Sequence, residues 1–240
     1  MKQLITSIAF MAVFTAAYPQ ANSKNYLRLN AGASFPVGRF GSDEVKPGIS
    51  YNGLAKTGYH VGLAYGRYFK PNWGIQVSGR CSSFPRNTDT LFYVYWPAGY
   101  QEIFGVKSEP YRMGSFTAGM FYDFFKKQKI TVSGGFGLGL LVVTYPYVFL
   151  WQKVNLFNEA TLEAENDLTF TYNLEFTGTY QLSQKSKLIL GLRYMHAQAE
   201  YEVFQRNWLT PNSPAIPVYH SYRRQSISSI DTSVGFIYFF

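Results

Sequence analysis

Gln225-Ser226-Ile227-Ser228-Ser229-Ile230-Asp231-Thr232-Ser233-Val234-Gly235-Phe236-Ile237-Tyr238-Phe239-Phe240 closes the chain. Counting back from Phe240, Tyr238, Phe236, Val234, Thr232 and Ile230 fall on one side of an extended strand, with Gly235, Ser233, Asp231 and Ser229 on the other. Side chains alternate across a strand with period two, so one face is apolar and aromatic and the other small and polar. A soluble sheet turns its polar face to water. A transmembrane barrel turns the apolar face to lipid and lines its interior with the polar one, and the remainder of the sequence favours this second arrangement.

The 240 residues are 19% aromatic and only 15% charged, against roughly 25% charged in soluble domains. Mean hydropathy is nevertheless -0.12, too low for a bundle of membrane helices. After the N-terminal segment no run of about eighteen apolar residues occurs. A closed barrel is then the structure able to span a bilayer, because its strands satisfy one another's backbone groups. Met1 to about Ala21 carries Lys2, an apolar run from Leu4 to Ala17 and then small residues, the layout of a secretory signal peptide. The expected division is residues 1–21 as signal and 22–240 as one barrel domain. The single Cys81 excludes an internal disulfide framework and is expected on the outer face or rim.

Eight alternating segments follow, near 25–34, 56–69, 73–84, 111–124, 129–145, 168–180, 187–203 and 225–240. Short connections at Lys70-Pro71-Asn72, Lys126-Lys127-Gln128 and Ser183 to Ser186 alternate with long ones such as Phe35 to Ala55 and Pro85 to Pro110. Each segment holds the roughly 9 to 11 residues of a tilted crossing. The expected fold is all-β: an eight-stranded antiparallel up-and-down transmembrane β-barrel with short periplasmic turns and long extracellular loops. Aromatics gather at the strand ends as two interfacial girdles, Tyr68, Phe69, Trp73, Tyr122, Phe124, Tyr180 and Phe240 by the turns and Tyr59, Tyr111, Tyr145, Phe170 and Tyr194 by the loops.

Inside an eight-stranded barrel there is just room for side chains to fill. The inward positions carry Arg28, His60, Gln76, Arg80, Asp123, Asn173, Glu175, Arg193 and Asp231. These are expected to form a hydrogen-bonded plug in which three arginines balance three carboxylates, since buried charges have to be paired. No sizeable pore is expected. Lys70, Lys126, Lys127, Lys129, Lys185 and Lys187 bring most of the formal +8 to the turns with no acid among them. The pI near 9.4 is therefore read as lysines meeting phospholipid head groups rather than nucleic acid. Loop-side Arg and Lys are expected to meet lipopolysaccharide phosphates.

Of His60, His196 and His220, His196 stands where a lipid-facing base would, in Met195-His196-Ala197-Gln198-Ala199-Glu200, but no serine lies two residues from it. Gly134 to Gly139 is alternating strand glycine, not a phosphate-binding loop. No catalytic residue, metal site or cofactor is expected.

The ending Ser233-Val234-Gly235-Phe236-Ile237-Tyr238-Phe239-Phe240 resembles the C-terminal signal of bacterial outer-membrane barrels, with Ser233, Gly235, Tyr238 and Phe240 in its defined places. That resemblance implies recognition by the outer-membrane assembly machinery. The whole mature chain resembles the small eight-stranded outer-membrane barrels typified by OmpX and the opacity proteins, and the outer-membrane β-barrel families common in Bacteroidota. It implies the outer membrane of a Gram-negative bacterium and a non-enzymatic role in adhesion, envelope integrity or an envelope complex, exerted through the extracellular loops. A narrow pore for small solutes, a lipid A-modifying enzyme and a soluble lipocalin-type barrel are the alternatives. Leu91-Phe92-Tyr93-Val94-Tyr95-Trp96 and Tyr145-Pro146-Tyr147-Val148-Phe149-Leu150-Trp151 are either exposed patches that contact a protein partner or strand extensions that pack on each other beyond the bilayer.

Overall fold

Residues 25–44, 53–95, 102, 104–152, 159–164, 166–208 and 219–240 are described by the computed structural model; the expected signal segment lies outside them. Eleven strands occur among the described residues: β1 (Asn25–Pro36), β2 (Gly58–Tyr68), β3 (Trp73–Phe84), β4 (Phe104–Ser108), β5 (Tyr111–Lys127), β6 (Ile130–Thr144), β7 (Val148–Gln152), β8 (Glu159–Ala164), β9 (Asp167–Gln181), β10 (Ser186–Trp208) and β11 (Tyr219–Phe239). One helix, α1 (Thr88–Tyr95), and a single 3-10 turn, Gly38–Phe40, accompany them.

Eight strands close a barrel in the order β11-β1-β2-β3-β5-β6-β9-β10, with β10 paired back to β11 and every neighbouring pair antiparallel. The C-terminal strand is paired along both edges. Its ladder to β10 runs from Ser186↔Tyr238 to Gln205↔Tyr219, and that to β1 from Tyr26↔Phe239 to Pro36↔Ser229. Closure leaves the wall no open edge, which a strand of this length and apolarity would otherwise offer to other chains. Both β10 and β11 continue past the expected ends at 203 and 225.

The period-two pattern sorts as expected. Leu63, Phe136, Leu138, Phe170, Leu190 and Val234 point outward, Phe170 being 81% exposed and Val234 60%, while Ser229 and Asp231 between them in the closing strand are buried. Cys81 is exposed on the outer face. Where the ladder of β5 and β6 shifts register between Asp123 and Phe125, one residue is added to β5. Such a bulge breaks strict alternation, and Phe124 and Phe125 both face outward there. The turn that follows is tightened by Gln128 at φ 47.

One expectation is corrected. Tyr68, Tyr111 and Tyr145 do not belong to the outward girdles. Tyr111 and Tyr145 are buried, and Tyr68 packs inside against Tyr26, Phe121 and Phe239. A ring at the end of an eight-stranded barrel can close the mouth as readily as meet the interface, and the parity of its position decides which.

In the long connections, the second of the two open readings, strand extensions packed on each other, is the one found. Beyond the end of β9, the 203–208 portion of β10 pairs instead with β8, which continues through β7 to β4, so a four-stranded crest rises from one side of the barrel. Leu91 of α1, Val148 and Leu150 of β7 and Leu54 are buried together, with Val106 of β4 against them. The apolar stretches thus pack largely on each other. Trp96 and the side chains of Val94 and Tyr95 lie outside the described residues.

The outer wall predicts the cost of a misplaced charge. Val234→Arg is expected to lower the stability of the protein folded into phosphatidylcholine vesicles by about 2–4 kcal/mol, as a cation near the bilayer midplane does. Urea titration followed by tryptophan fluorescence measures it.

Candidate functional site

The interior is layered. Its centre is polar, built where small inward residues leave room for long side chains to cross. Arg28 of β1 meets Glu175 of β9 twice, Nη1 to Oε1 at 2.9 Å and Nη2 donating to Oε2 at 3.2 Å. Gln76 Nε2 donates to the same carboxylate at 3.0 Å and accepts from the Tyr26 hydroxyl at 3.2 Å. Arg80 of β3 reaches Asp231 of β11 at 2.9 Å. These partners stand on strands three apart in the closed order, so the ion pairs cross the lumen rather than run along the wall.

Arg193 of β10 lies opposite Glu175 in one ladder and Asp231 in the other, and donates through Nη2 to the Thr117 hydroxyl at 3.5 Å. Thr117 also shares a 2.8 Å hydrogen bond with Ser78. His60 Nδ1 is 3.0 Å from the Ser34 hydroxyl. Asn173 is buried, its Nδ2 without a partner.

Asp123 departs from the expected arrangement. It takes no arginine; the Ser133 hydroxyl donates to it at 2.6 Å and Lys126 Nζ lies 2.9 Å away. Lys126 also donates to Asn72 Oδ1 at 3.1 Å and to the Pro71 carbonyl, tying two turns together. The interior thus holds three guanidiniums and three carboxylates, of which Glu175 and Asp231 meet arginines and Asp123 meets Lys126 instead. The bulge at Asp123 brings this carboxylate within reach of the turn, a displacement that strand periodicity does not reveal.

Apolar side chains close both ends. At the turn end Tyr26, Phe121, Ile189 and Ile237 form a buried cluster joined by Tyr68 and Phe239, with Tyr68 and Phe121 edge to face at 4.9 Å. At the loop end Phe40, Phe84 and Tyr111 meet edge to face within 5.2 Å. Met113, Leu141, Val143, Met195 and Ile227 complete that cluster. Tyr145 stacks on Tyr201 at 3.5 Å; burial pushes its phenol well above the usual value and Tyr201 adds to the shift. Where the turn-end cluster meets Arg28 and Glu175, a cavity of about 30 Å³ remains, room for two or three waters on the ~10–15 Å³ each requires.

On the outer face near the loop end, His196 of β10 pairs directly with Ser228 of β11, Nδ1 to Oγ at 2.8 Å, with the Tyr172 ring 5.3 Å from the imidazole. The serine that is missing two residues along the strand is thus supplied across the ladder. A nucleophile needs preorganised donors for the oxyanion, yet the backbone at Ser228 is enclosed by β10 on one edge and the β1 end on the other. Further along the same face Arg224 is bound to Glu200, Nε to Oε1 at 2.6 Å, and at the loop-end closure Arg86 lies over the buried Tyr111 ring. Both have partners within the chain besides any lipid phosphate. The His220 side chain lies outside those described.

Of the terminal motif, Tyr238 and Phe240 face outward and Ser233 and Gly235 inward. Gly235 is required sterically, since a Cβ there would lie 2.2 Å from the Leu29 carbonyl oxygen.

Breaking the crossing pairs tests the interior. Glu175→Gln is expected to cost on the order of 3–5 kcal/mol by leaving Arg28 buried beside a neutral amide, while Arg28→Met with Glu175→Leu recovers most of that loss. Equilibrium unfolding of the three variants in one detergent measures it.

No protein-family model matches the sequence, and no curated protein does. Solved structures do. A major outer membrane protein from Thermus thermophilus aligns with a TM-score of 0.52 and 12% identity over 91% of this chain and 100% of that one. Neisserial surface protein A gives 0.48 and 12%, covering 89% and 96%. The outer membrane protein OprG from Pseudomonas aeruginosa gives 0.47 and 14%, covering 91% and 96%. At such identities the Thermus likeness bears on architecture alone, and the architecture is the closed eight-stranded antiparallel barrel.

Proposed function

We propose that the chain is an outer-membrane barrel of a Gram-negative bacterium, non-enzymatic, acting through the structure raised beyond its loop end. The observation that carries this reading is the crest. One face of its sheet is buried on α1 and Leu54, and the other presents Phe149, 39% exposed, beside Trp151 and Lys107. Trp151 lies flat against the Gly105 backbone, where a Cβ would meet the indole at 2.3 Å. Exposed aromatics held on a rigid strand suit partner contact, because little side-chain freedom is lost on binding.

In this reading the three short turns face the periplasm, outer-membrane lipids surround the apolar wall, lipopolysaccharide meets the polar outer rim, and the terminal motif engages the assembly machinery. The pore alternative is disfavoured by the two apolar closures and the crossing ion pairs between them, the cavity at the turn-end closure having about 30 Å³. The enzyme alternative is disfavoured by the committed backbone around Ser228.

Three measurements test it. The protein should fractionate with outer membranes and migrate faster on gels unheated than boiled; solubility without detergent would contradict it. A photoreactive phenylalanine analogue replacing Phe149 in intact cells should give a discrete protein adduct, whereas the same group replacing Leu190 should label lipid; lipid-only labelling at both positions would remove the crest from the function. Mass spectrometry of lipid A from cells expressing wild type or His196→Ala should give identical profiles.

A further inference from the structure

The outer wall carries a groove that the barrel's own packing does not require. It has about 570 Å³ and lies on the outside of β3 and β5, its floor formed by Gly79, Cys81 and Gly114 and its sides by Leu63, Phe116 and Val142. The floor exists because two outward positions are glycine. A Cβ at Gly79 or Gly114 would meet nothing within 4 Å, unlike the one at Gly235. Neither glycine marks a bulge, since the β3–β5 ladder runs in unbroken register through Gly79↔Phe116 and Cys81↔Gly114. Glycine inside a regular strand weakens it, and with bulge and crowding absent the remaining reason for it is the close approach of a ligand or another backbone.

Polar residues stand over one end of this groove. Two positions beyond Gly114, about 7 Å along β5, Arg112 faces outward and is exposed. Ser83 lies directly opposite it in one ladder and Thr144 in the other, with the exposed Tyr59 beyond Ser83. Arg112 has no hydrogen bond or ion pair among the described residues. No acidic residue lines the groove, and Arg80, which does, turns its guanidinium inward to Asp231. Tyrosine rings gather at the headgroup level of a bilayer. The row of Tyr59, Ser83, Arg112 and Thr144 therefore sits where lipid phosphates lie, and the groove runs from it into the hydrocarbon.

We infer that this face binds one lipopolysaccharide molecule at a fixed place: a lipid A phosphate on the Arg112 guanidinium, between the Ser83 and Thr144 hydroxyls, with one acyl chain laid in the groove over Gly114 and Gly79. A guanidinium takes phosphate through two parallel N–H donors, and a hydroxyl on either side supplies donors for its other oxygens. The headgroup contact holds the molecule laterally, and the groove gives one chain more van der Waals contact than a flat wall does. The site rests on the orientation proposed above, with the loop end outside, and not on the crest.

Native mass spectrometry of the full-length protein released from detergent micelles, titrated with diphosphoryl lipid A, tests this. One saturable adduct is expected. Arg112→Gln should weaken it about tenfold, the loss of one charge-assisted contact, and removing the phosphates from the lipid should weaken the wild-type adduct but not the variant's. Gly114→Leu, which fills the groove and leaves Arg112 in place, should weaken it to a similar degree. Gly178→Leu, at an outward glycine of β9 that is equally open, should not. Inorganic phosphate should fail to displace the lipid. All three variants should keep the mobility difference between unheated and boiled protein. Absence of a saturable adduct in protein that keeps this difference overturns the site and leaves the membrane reading intact. Equal binding by all variants, displacement by inorganic phosphate, tighter binding of phosphatidylglycerol than of lipid A, or a protein dimer that Gly114→Leu abolishes would each overturn it too, the last assigning the groove to a second copy of the chain.

Discussion

Backbone hydrogen bonds between antiparallel neighbours, closed into a ring where β10 meets β11, are the interaction that shapes everything else in this molecule. An extended chain in hydrocarbon finds no water for its N–H and C=O groups, and each one left open costs several kcal/mol. Closure satisfies them all with eight strands. Once the ring is formed the pleat allows each residue only two directions, and the aromatic and aliphatic positions of β11 can leave the lumen only by facing outward. The ladder of β11 to β1 and β10, paired along both edges, makes the last strand of the sequence the stave that completes the wall.

That same geometry determines what the interior can hold. Eight strands leave a lumen that side chains fill, and this one divides it into a charged middle and two apolar ends. The crossing pairs Arg28–Glu175 and Arg80–Asp231 join staves that do not touch each other in the sheet. They resist flattening of the ring in a way that hydrogen bonds between neighbours do not. The aromatic closures exclude water from these pairs, which strengthens the attraction and raises the penalty for any charge without a partner.

Much of this was legible in the sequence, and the reasons are local. Alternation in 168–180 and 225–240 specified facing directly, because a half-wetted strand leaves its period in the residue types. The same parity points nine polar residues inward, of which eight are buried and Gln76 is half-buried with its amide on Glu175. What parity does not carry is which inward residue meets which. Asp123 was grouped with the arginines, yet the bulge before Phe125 hands it to Lys126, and a bulge leaves no mark on composition. The serine beside His196 stood 32 positions away and became visible only with the β10–β11 register. Tyr68, Tyr111 and Tyr145 were assigned to the interface because an aromatic at a strand end suits either destination. For the apolar stretches of the long connections the sequence leaves exposed patches and packed strand extensions both open, because short strands inside long connections pair with partners distant in sequence.

On the proposed function the architecture separates two tasks. The ring and its core provide a rigid support, and the crest, standing on the extended end of β10, presents a surface that can vary without disturbing the wall. The claim beneath this division is that a bilayer, not water, surrounds the apolar face. Nitroxide scanning from Ile230 to Tyr238 in lipid vesicles tests it directly, by comparing relaxation from oxygen, which partitions into lipid, with that from a water-soluble nickel chelate. Oxygen accessibility peaking at 230, 232, 234, 236 and 238 with the chelate excluded there is the expected result. Chelate access at those even positions would contradict it.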